Sequence, residues 1–254
     1  MNPPLVYVFL GASGSGRHEL LADIIAGMPD TARITVSLPE ATRDEGPALR
    51  SLRQGFLRSD WRWSEGELEA EIPEGTTHFF FLTRGDTDPV DQIEALYHWT
   101  RDNEIDMGRI VTVVHCRLLF ENAGLEKWFD ACIHFSDYVL LNRREGVPEG
   151  WMKAFQDRYR SAFFPCIFEM VKKGRVKNPA LVLDAFPRRI SHLFDERELA
   201  DLDTDLELEE GEADEESEPE AGTDPYLERL PSGRRAREIP DIARFLSSAT
   251  RSAG

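Results

Sequence analysis

Apolar residues in this chain fall into two alternating patterns. Short unbroken runs at residues 6–10, 34–36, 79–82, 110–114, 138–141 and 166–168 are rich in Val, Ile and Phe and predict buried strands. Between them, residues 20–28, 90–100, 125–133 and 151–159 space their apolar positions three and four apart and predict amphipathic helices. Strands without strict in–out alternation suit a parallel sheet covered on both faces. The succession of strand and helix therefore predicts an α/β fold of three layers with a mostly parallel sheet, whose ligands sit at the carboxyl ends of the strands. Residues 38–77 fit neither pattern cleanly. Pro39, Gly46, Pro47 and Gly55 interrupt it, and residues 49–57 leave room for one short helix. No internal repeat is visible.

Charge changes this picture mainly toward the C-terminus. The 254 residues carry a formal net charge of −17, yet residues 195–224 alone hold sixteen acidic side chains and one Arg. The remainder is close to balanced, and the absence of a basic stripe argues against a nucleic-acid surface. Segment 195–224 is also devoid of aromatics, so it buries too little surface to offset its ordering entropy, which predicts disorder. Beyond it, Ile239, Ile242, Ala243 and Leu246 share one face of a short amphipathic helix, preceded by the basic run Arg234-Arg235-Ala236-Arg237. Cys116, Cys132 and Cys166 are widely spaced and odd in number, which suits a reducing compartment. With no signal peptide and no apolar run of membrane-spanning length, the expected location is the cytoplasm.

Three loops at predicted strand ends carry the candidate chemistry. The first, Gly11-Ala-Ser-Gly-Ser-Gly-Arg-His18, nearly matches the phosphate-binding pattern G-x-x-x-x-G-K-[ST] between a strand and a helix. Gly11, Gly14 and Gly16 are in place to let backbone N–H groups, with that of Ser15, close around phosphates at a helix N-terminus. Arg17 stands where Lys is expected and keeps the charge in a bulkier, planar form. His18 stands where a hydroxyl would hold Mg²⁺, and imidazole is a poor replacement for a hard oxygen ligand. Alone, this loop is equally a tight strand–helix turn. The second, Leu82-Thr-Arg-Gly-Asp-Thr-Asp-Pro89, lacks a carboxylate at the strand end, but Gly85 suits close approach of backbone to a terminal phosphate. Asp88 before Pro89 reads first as a helix cap. The third, Asn142-Arg143-Arg144-Glu145, is at once a solvated turn and a degenerate base-reading loop, with the Glu145 carboxylate for a guanine edge and the Arg143 stem for its ring. His115 and Cys116 lie at another strand end, but two adjacent ligands without a third are usually structural, so no metal site is expected. Trp61, Trp63, Trp99, Trp128 and Trp151 read as core or interface residues.

Taken in order, these loops resemble the CobW family of P-loop GTPases, relatives of the UreG and HypB metal-insertion GTPases. The family's G-F-L-G-S-G-K-T-T-L-L is similar to residues 11–21, its E-T-T-G-L-A-D-P to residues 82–89, and its V-V-T-V-V-D to residues 110–115. Its A-D-x-I-L-L-N-K-x-D-L-V resembles residues 136–147, and its G-R-V-D-P-A-L-L-L resembles residues 174–183. The match spans about residues 5–185 in unbroken motif order. The family's Lys, Thr, Glu, Asp and Asp have become Arg17, His18, Leu82, His115 and Glu145, and its C-x-C-C metal motif has no Cys here.

The resemblance implies a P-loop NTPase fold over residues 1–194, followed by an acidic linker over 195–233 and a short terminal segment over 234–254. It implies a nucleotide ligand, GTP, held by Gly11, Gly14, Ser15, Gly16, Arg17, His18 and Gly85, with Asn142, Arg143 and Glu145 at the base. Mg²⁺ support and hydrolysis are weakened by the losses, which makes the chain at most a slow GTPase with an ancestral link to metal delivery. The alternative is a pseudo-GTPase that binds no nucleotide and engages a protein partner through its acidic tail and terminal helix.

Overall fold

A computed structural model describes residues 4–41, 46–52, 55–64, 67–195 and 224–246. Within them the chain runs β1 (Leu5–Leu10), α1 (Arg17–Ala26), β2 (Ile34–Pro39), α2 (Gly46–Arg50), β3 (Leu57–Ser64), β4 (Glu67–Glu69), β5 (His78–Leu82), α3 (Pro89–Asp102) and β6 (Asp106–His115). It continues through α4 (Cys116–Glu121), α5 (Glu126–His134), β7 (Tyr138–Asn142), α6 (Glu149–Ser161), β8 (Ile167–Met170) and α7 (Pro179–Val182). The strands form one sheet in the order β4-β3-β2-β5-β1-β6-β7-β8, parallel throughout except for the β3–β4 pair.

Because side chains alternate along a strand, each central strand feeds two cores. Val6, Val8 and Leu10 of β1, with Phe79 and Phe81 of β5 and Val139 and Leu141 of β7, pack against α3, α5 and α6. Tyr7 and Phe9, with Phe80, Leu82, Tyr138 and Leu140, pack on the other face against α1, α2 and α7. This is the expected three-layer arrangement. From β1 the chain crosses β5 to reach β2, whereas from β5 it crosses β1 to reach β6. The crossing direction reverses there, so the loops after β1 and β5 face each other at the carboxyl edge, where α/β sheets place their ligands.

All six predicted strands are present, and two more lie where the pattern was unreadable. The helix expected within 49–57 is only α2, which stops at Arg50, and Leu57 instead begins β3. Strand β3 mixes charged residues with two Trp because it is nearly an edge: only Trp61 is buried, stacked on Phe81.

The C-terminal expectation needs correction. Residues 196–223, most of the predicted acidic linker, lie outside the described residues, as do 247–254. Residues 224–233, assigned to the same linker, are instead docked on the domain together with 234–246. Tyr226 inserts beside His134 of α5 and Phe135 just after it, and Ile242 and Leu246 are buried in the core on the α3, α5 and α6 face of the sheet. The predicted terminal helix is a single 3₁₀ turn, Ile242–Arg244. Arg235 pairs with Asp91 and Glu94 of α3, at 2.5 and 2.6 Å. His134 and the Ser191 hydroxyl both donate to the Asp224 carboxylate, closing the near end of the segment.

Two measurements check this docking. Tyr226→Ala should cost about 3 kcal/mol in urea unfolding, as removal of a buried aromatic does. Burial alone would raise the Asp224 carboxyl, but hydrogen bonds from His134, Ser191 and the Tyr226 amide outweigh it and hold it below the ordinary Asp value. A carboxyl depressed by folding stabilises above its unfolded pKa of about 3.9 and loses that contribution as pH falls through the folded value. Amide exchange at Tyr226, corrected for its intrinsic pH dependence, should therefore accelerate over that acidic range.

Candidate functional site

The loop between β1 and α1 has the backbone shape of a phosphate cradle. Gly14 and Gly16 both adopt positive φ, 76° and 93°, and Gly16 caps α1 without a side-chain bond. A Cβ at Gly16 would also lie 2.5 Å from the Asn142 amide nitrogen, so conformation and space both demand glycine. The backbone N–H groups of Gly14, Gly16 and Arg17 find no acceptor among the described residues. Ser15 is 1% exposed, and its hydroxyl likewise has no hydrogen-bond partner among them. Unfilled donors gathered at a helix N-terminus are the physical basis of an anion site.

Arg17 does not reach outward over this loop. Its side chain is 4% exposed and turns beneath the loop, where one terminal nitrogen (Nη1) donates to the carbonyl of Thr83 and, at 3.3 Å, to its hydroxyl. The other terminal nitrogen and Nε have no hydrogen-bond partner among the described residues, nor does any carboxylate there form an ion pair with Arg17. Asp86, whose charge acts on it, is committed to Arg84 at 3.1 Å. Burial pushes the Arg17 guanidinium down to about 10. A buried cation without a counter-ion is costly, by several kcal/mol per ion.

The loop after β5 lies directly against the cradle. The Gly85 carbonyl accepts from the Ser13 N–H at 2.9 Å, and a Cβ on Gly85 would fall 2.3 Å from that nitrogen and 2.6 Å from the Arg17 guanidinium. The glycine expected to let backbone approach a terminal phosphate here lets it approach the phosphate loop itself. Thr83 is tied to β1 through the Phe9 carbonyl. Gln92, 4% exposed, clamps residues 84–88 by accepting from the Arg84 N–H and donating to Arg84, Thr87 and Asp88 oxygens. Trp128 donates to the Thr87 carbonyl from α5. Asp88 caps α3 through the Val90 N–H at 2.8 Å, as its place before Pro89 implied.

The third loop is partly assembled. Asn142 donates to the Ser15 carbonyl at 2.8 Å, while Arg143 donates to the Gly14 carbonyl at 3.1 Å and pairs with Glu19 at 3.0 Å. These bonds hold Arg143 in a left-handed conformation, φ 49°, that a non-glycine residue adopts at a cost of about 1 kcal/mol. Glu145 is exposed in the following turn and makes no hydrogen bond within the described residues. His18 faces α2, with its Nδ1 3.3 Å from the Cβ position on Gly46. Leu82 points into the α1/α2 core. His115 accepts from the Leu118 N–H as the cap of α4, and burial first, then the Arg143 guanidinium, lowers its pKa. No group of three potential metal ligands occurs among the described residues.

Gly11, Gly14, Ser15, Gly16, Arg17, Gly85, Asn142 and Arg143, expected together from the motifs, do come together in space. His18 and Glu145 border the site, His18 toward α2 and Glu145 exposed in the turn after β7. Sequence reading passed over the roles of Thr83 and Gln92 and took Trp128 for core or interface alone, whereas it is buried and also bonds the Thr87 carbonyl. A cavity of about 580 Å³ flanks α1, lined among others by Glu19, Asp23, Met28, Ser51 and Arg175.

Neither a family model nor a curated protein matches the chain. Among solved structures, a zinc-bound triple mutant of the YjiA GTPase aligns with a TM-score of 0.50 and 16% identity, over 72% of this chain and 61% of that one. Zinc-bound YjiA GTPase from E. coli aligns with a TM-score of 0.49 and 15% identity over the same shares. The chain thus spans less than two thirds of the length of either structure. The first likeness establishes the fold, an α/β architecture like that of a P-loop GTPase. No helix among the described residues is long and apolar enough to cross a membrane.

The packing of Gly85 on the cradle can be checked by substitution. Gly85→Ala should lower the thermal midpoint by several degrees and speed amide exchange at Ser13, since the methyl has no space that side chains alone can vacate. Gln92→Ala should speed exchange across residues 83–88 while leaving β1 and β6 protected.

Proposed function

We propose that this chain is a CobW-like protein that binds guanine nucleotide in the β1–α1 loop and hydrolyses it slowly or not at all. The observation that carries the reading is the buried Arg17 guanidinium. It has no carboxylate partner among the described residues, and the amides of Gly14, Gly16 and Arg17 in the same loop are unfilled there as well. A phosphate group is the chemical complement of that set: it satisfies orphan donors and supplies the missing counter-charge. Asn142 and Arg143 support a base nearby, because both already brace the loop and the Arg143 stem offers a flat apolar surface. Glu145, exposed and uncommitted, is the group for the guanine N1–H and amino edge.

The residues present do not fit Mg²⁺. The position after Arg17 offers imidazole rather than hydroxyl, and Leu82 is enclosed in the core where the family has a carboxylate. Catalysis of phosphoryl transfer relies on charge placed around the reacting phosphate, so the missing oxygen ligands support slow turnover at best. One observation favours the second reading, a pseudo-GTPase interaction module: the chain's own Gly85 carbonyl occupies the Ser13 amide. The C-terminal segment that would serve such a module is spent, over residues 224–246, on its own domain.

Calorimetric titration with GDP and ADP decides between the two. Guanine-selective binding is expected, with affinity falling at least about tenfold in Arg17→Met, which keeps the stem and removes the charge. No phosphate release above the protein-free rate is expected from GTP. Absence of all nucleotide binding at millimolar ligand would sink the reading and leave the interaction module.

A further inference from the structure

We infer that the site selects a nucleoside diphosphate over the triphosphate and does so without Mg²⁺, Arg17 acting as a built-in replacement for both the metal and the terminal phosphate's surroundings. This rests on the nucleotide-binding reading and sharpens it. The cradle has two parts, and the structure treats them differently. Its inner part, the amides of Gly14, Gly16 and Arg17 at the start of α1, has no internal partner among the described residues. The buried Ser15 hydroxyl is unpartnered there as well. Its outer part is closed. The Ser13 amide is bonded to the Gly85 carbonyl, and Gly85 stands so near Ala12 and Ser13 that a single added carbon would meet them at 2.7 and 2.3 Å.

The Arg17 guanidinium lies against the closed part, its second terminal nitrogen 2.6 Å from where a Cβ on Gly85 would stand. One terminal nitrogen is fixed on Thr83, while the second and Nε remain without acceptors among the described residues. A phosphate on the inner amides would find two charge-assisted donors waiting on its far side, where a divalent cation would otherwise neutralise it. A further phosphate would have to displace that same guanidinium and break the Ser13–Gly85 bond. The barrier to doing so is set by the bracing of the loop: Gln92 makes four hydrogen bonds to residues 84–88, and Trp128 makes another. In an ordinary phosphate loop, a compact ammonium and a mobile second loop leave this space for the terminal phosphate. Here the larger, planar cation is tied to Thr83 and the second loop is braced, so neither is free to follow a further phosphate.

The test is titration of the full chain with GDP, GTP and a non-hydrolysable GTP analogue, each with Mg²⁺ and with EDTA. GDP should bind at least about tenfold more tightly than GTP or the analogue, and its affinity should change less than about twofold when Mg²⁺ is removed. Arg17→Lys, which retains the charge in a shorter and more compact head, should bring the GDP-to-GTP ratio toward one. Gln92→Ala should move the ratio the same way by freeing the loop, without touching any ligand atom. Equal or tighter binding of GTP to the unaltered chain overturns the inference while leaving nucleotide binding intact. So does a GDP affinity that collapses in EDTA. Failure of every nucleotide to bind overturns the nucleotide-binding reading and this inference with it.

Discussion

A single buried side chain, the Arg17 guanidinium, fixes how the rest of the carboxyl edge is arranged. It begins α1, passes beneath the phosphate loop and anchors on the Thr83 carbonyl at the end of β5. Thr83 in turn reaches Phe9 at the end of β1. Three elements that would otherwise meet only through backbone are thereby joined around one cation. The cost is visible in the depressed pKa of a group that is ordinarily among the most basic in proteins. Such a cation persists in a fold only where surrounding structure over-determines it or where a ligand supplies its counter-charge. The first condition is met by the bracing of the loop from behind, and the unfilled donors facing the cradle suit the second.

That bracing extends well past the site. Gln92 belongs to α3 and Trp128 to α5, and the docked segment 224–246 crosses the same two helices through Arg235, Arg229 and Tyr226. The Gly85 loop is therefore held by two helices that are themselves held from outside. In a nucleotide switch the corresponding loop gains by being loosely attached, since its order depends on the terminal phosphate. Here the attachments are hydrogen bonds from buried side chains, and breaking each leaves an unsatisfied polar group at a cost of about 1–3 kcal/mol. A segment so attached is a wall of the site rather than a moving part.

Much of this was legible in the sequence, and the exceptions have physical causes. Central strands were readable because they are buried on both faces and need no alternation to identify them. Strand β3 was not, because a strand next to the sheet edge that carries Arg58, Asp60 and Arg62 looks like a loop until Trp61 is seen packed on Phe81. The glycines of the phosphate loop were readable from spacing, since each answers a local backbone demand. The inward course of Arg17 was not, because a side chain's direction depends on partners far along the chain. Residues 224–246 were misjudged for a related reason. Composition registers how much apolar surface a segment carries, whereas docking depends on whether a waiting groove takes its few apolar groups, and Tyr226, Ile242 and Leu246 suffice.

On the proposed reading, the departures from the phosphate-loop pattern need not mean decay alone. Had the lysine of the motif simply been lost, a neutral or small residue would have left the Thr83 carbonyl and the space under the loop unfilled. An arginine keeps the charge, fills the volume and bonds the opposite strand end. The residues at two other committed positions are consistent with that exchange. A carboxylate in place of Leu82 would lie in an apolar core, and Leu82 instead offers its backbone carbonyl to Trp61. His115, at the end of β6, caps the next helix. Leu82 and His115 have each found an internal partner of the right chemistry, whereas the remaining donors of Arg17 have none among the described residues. The anion that would complete it is a chemical requirement that those residues do not meet among themselves.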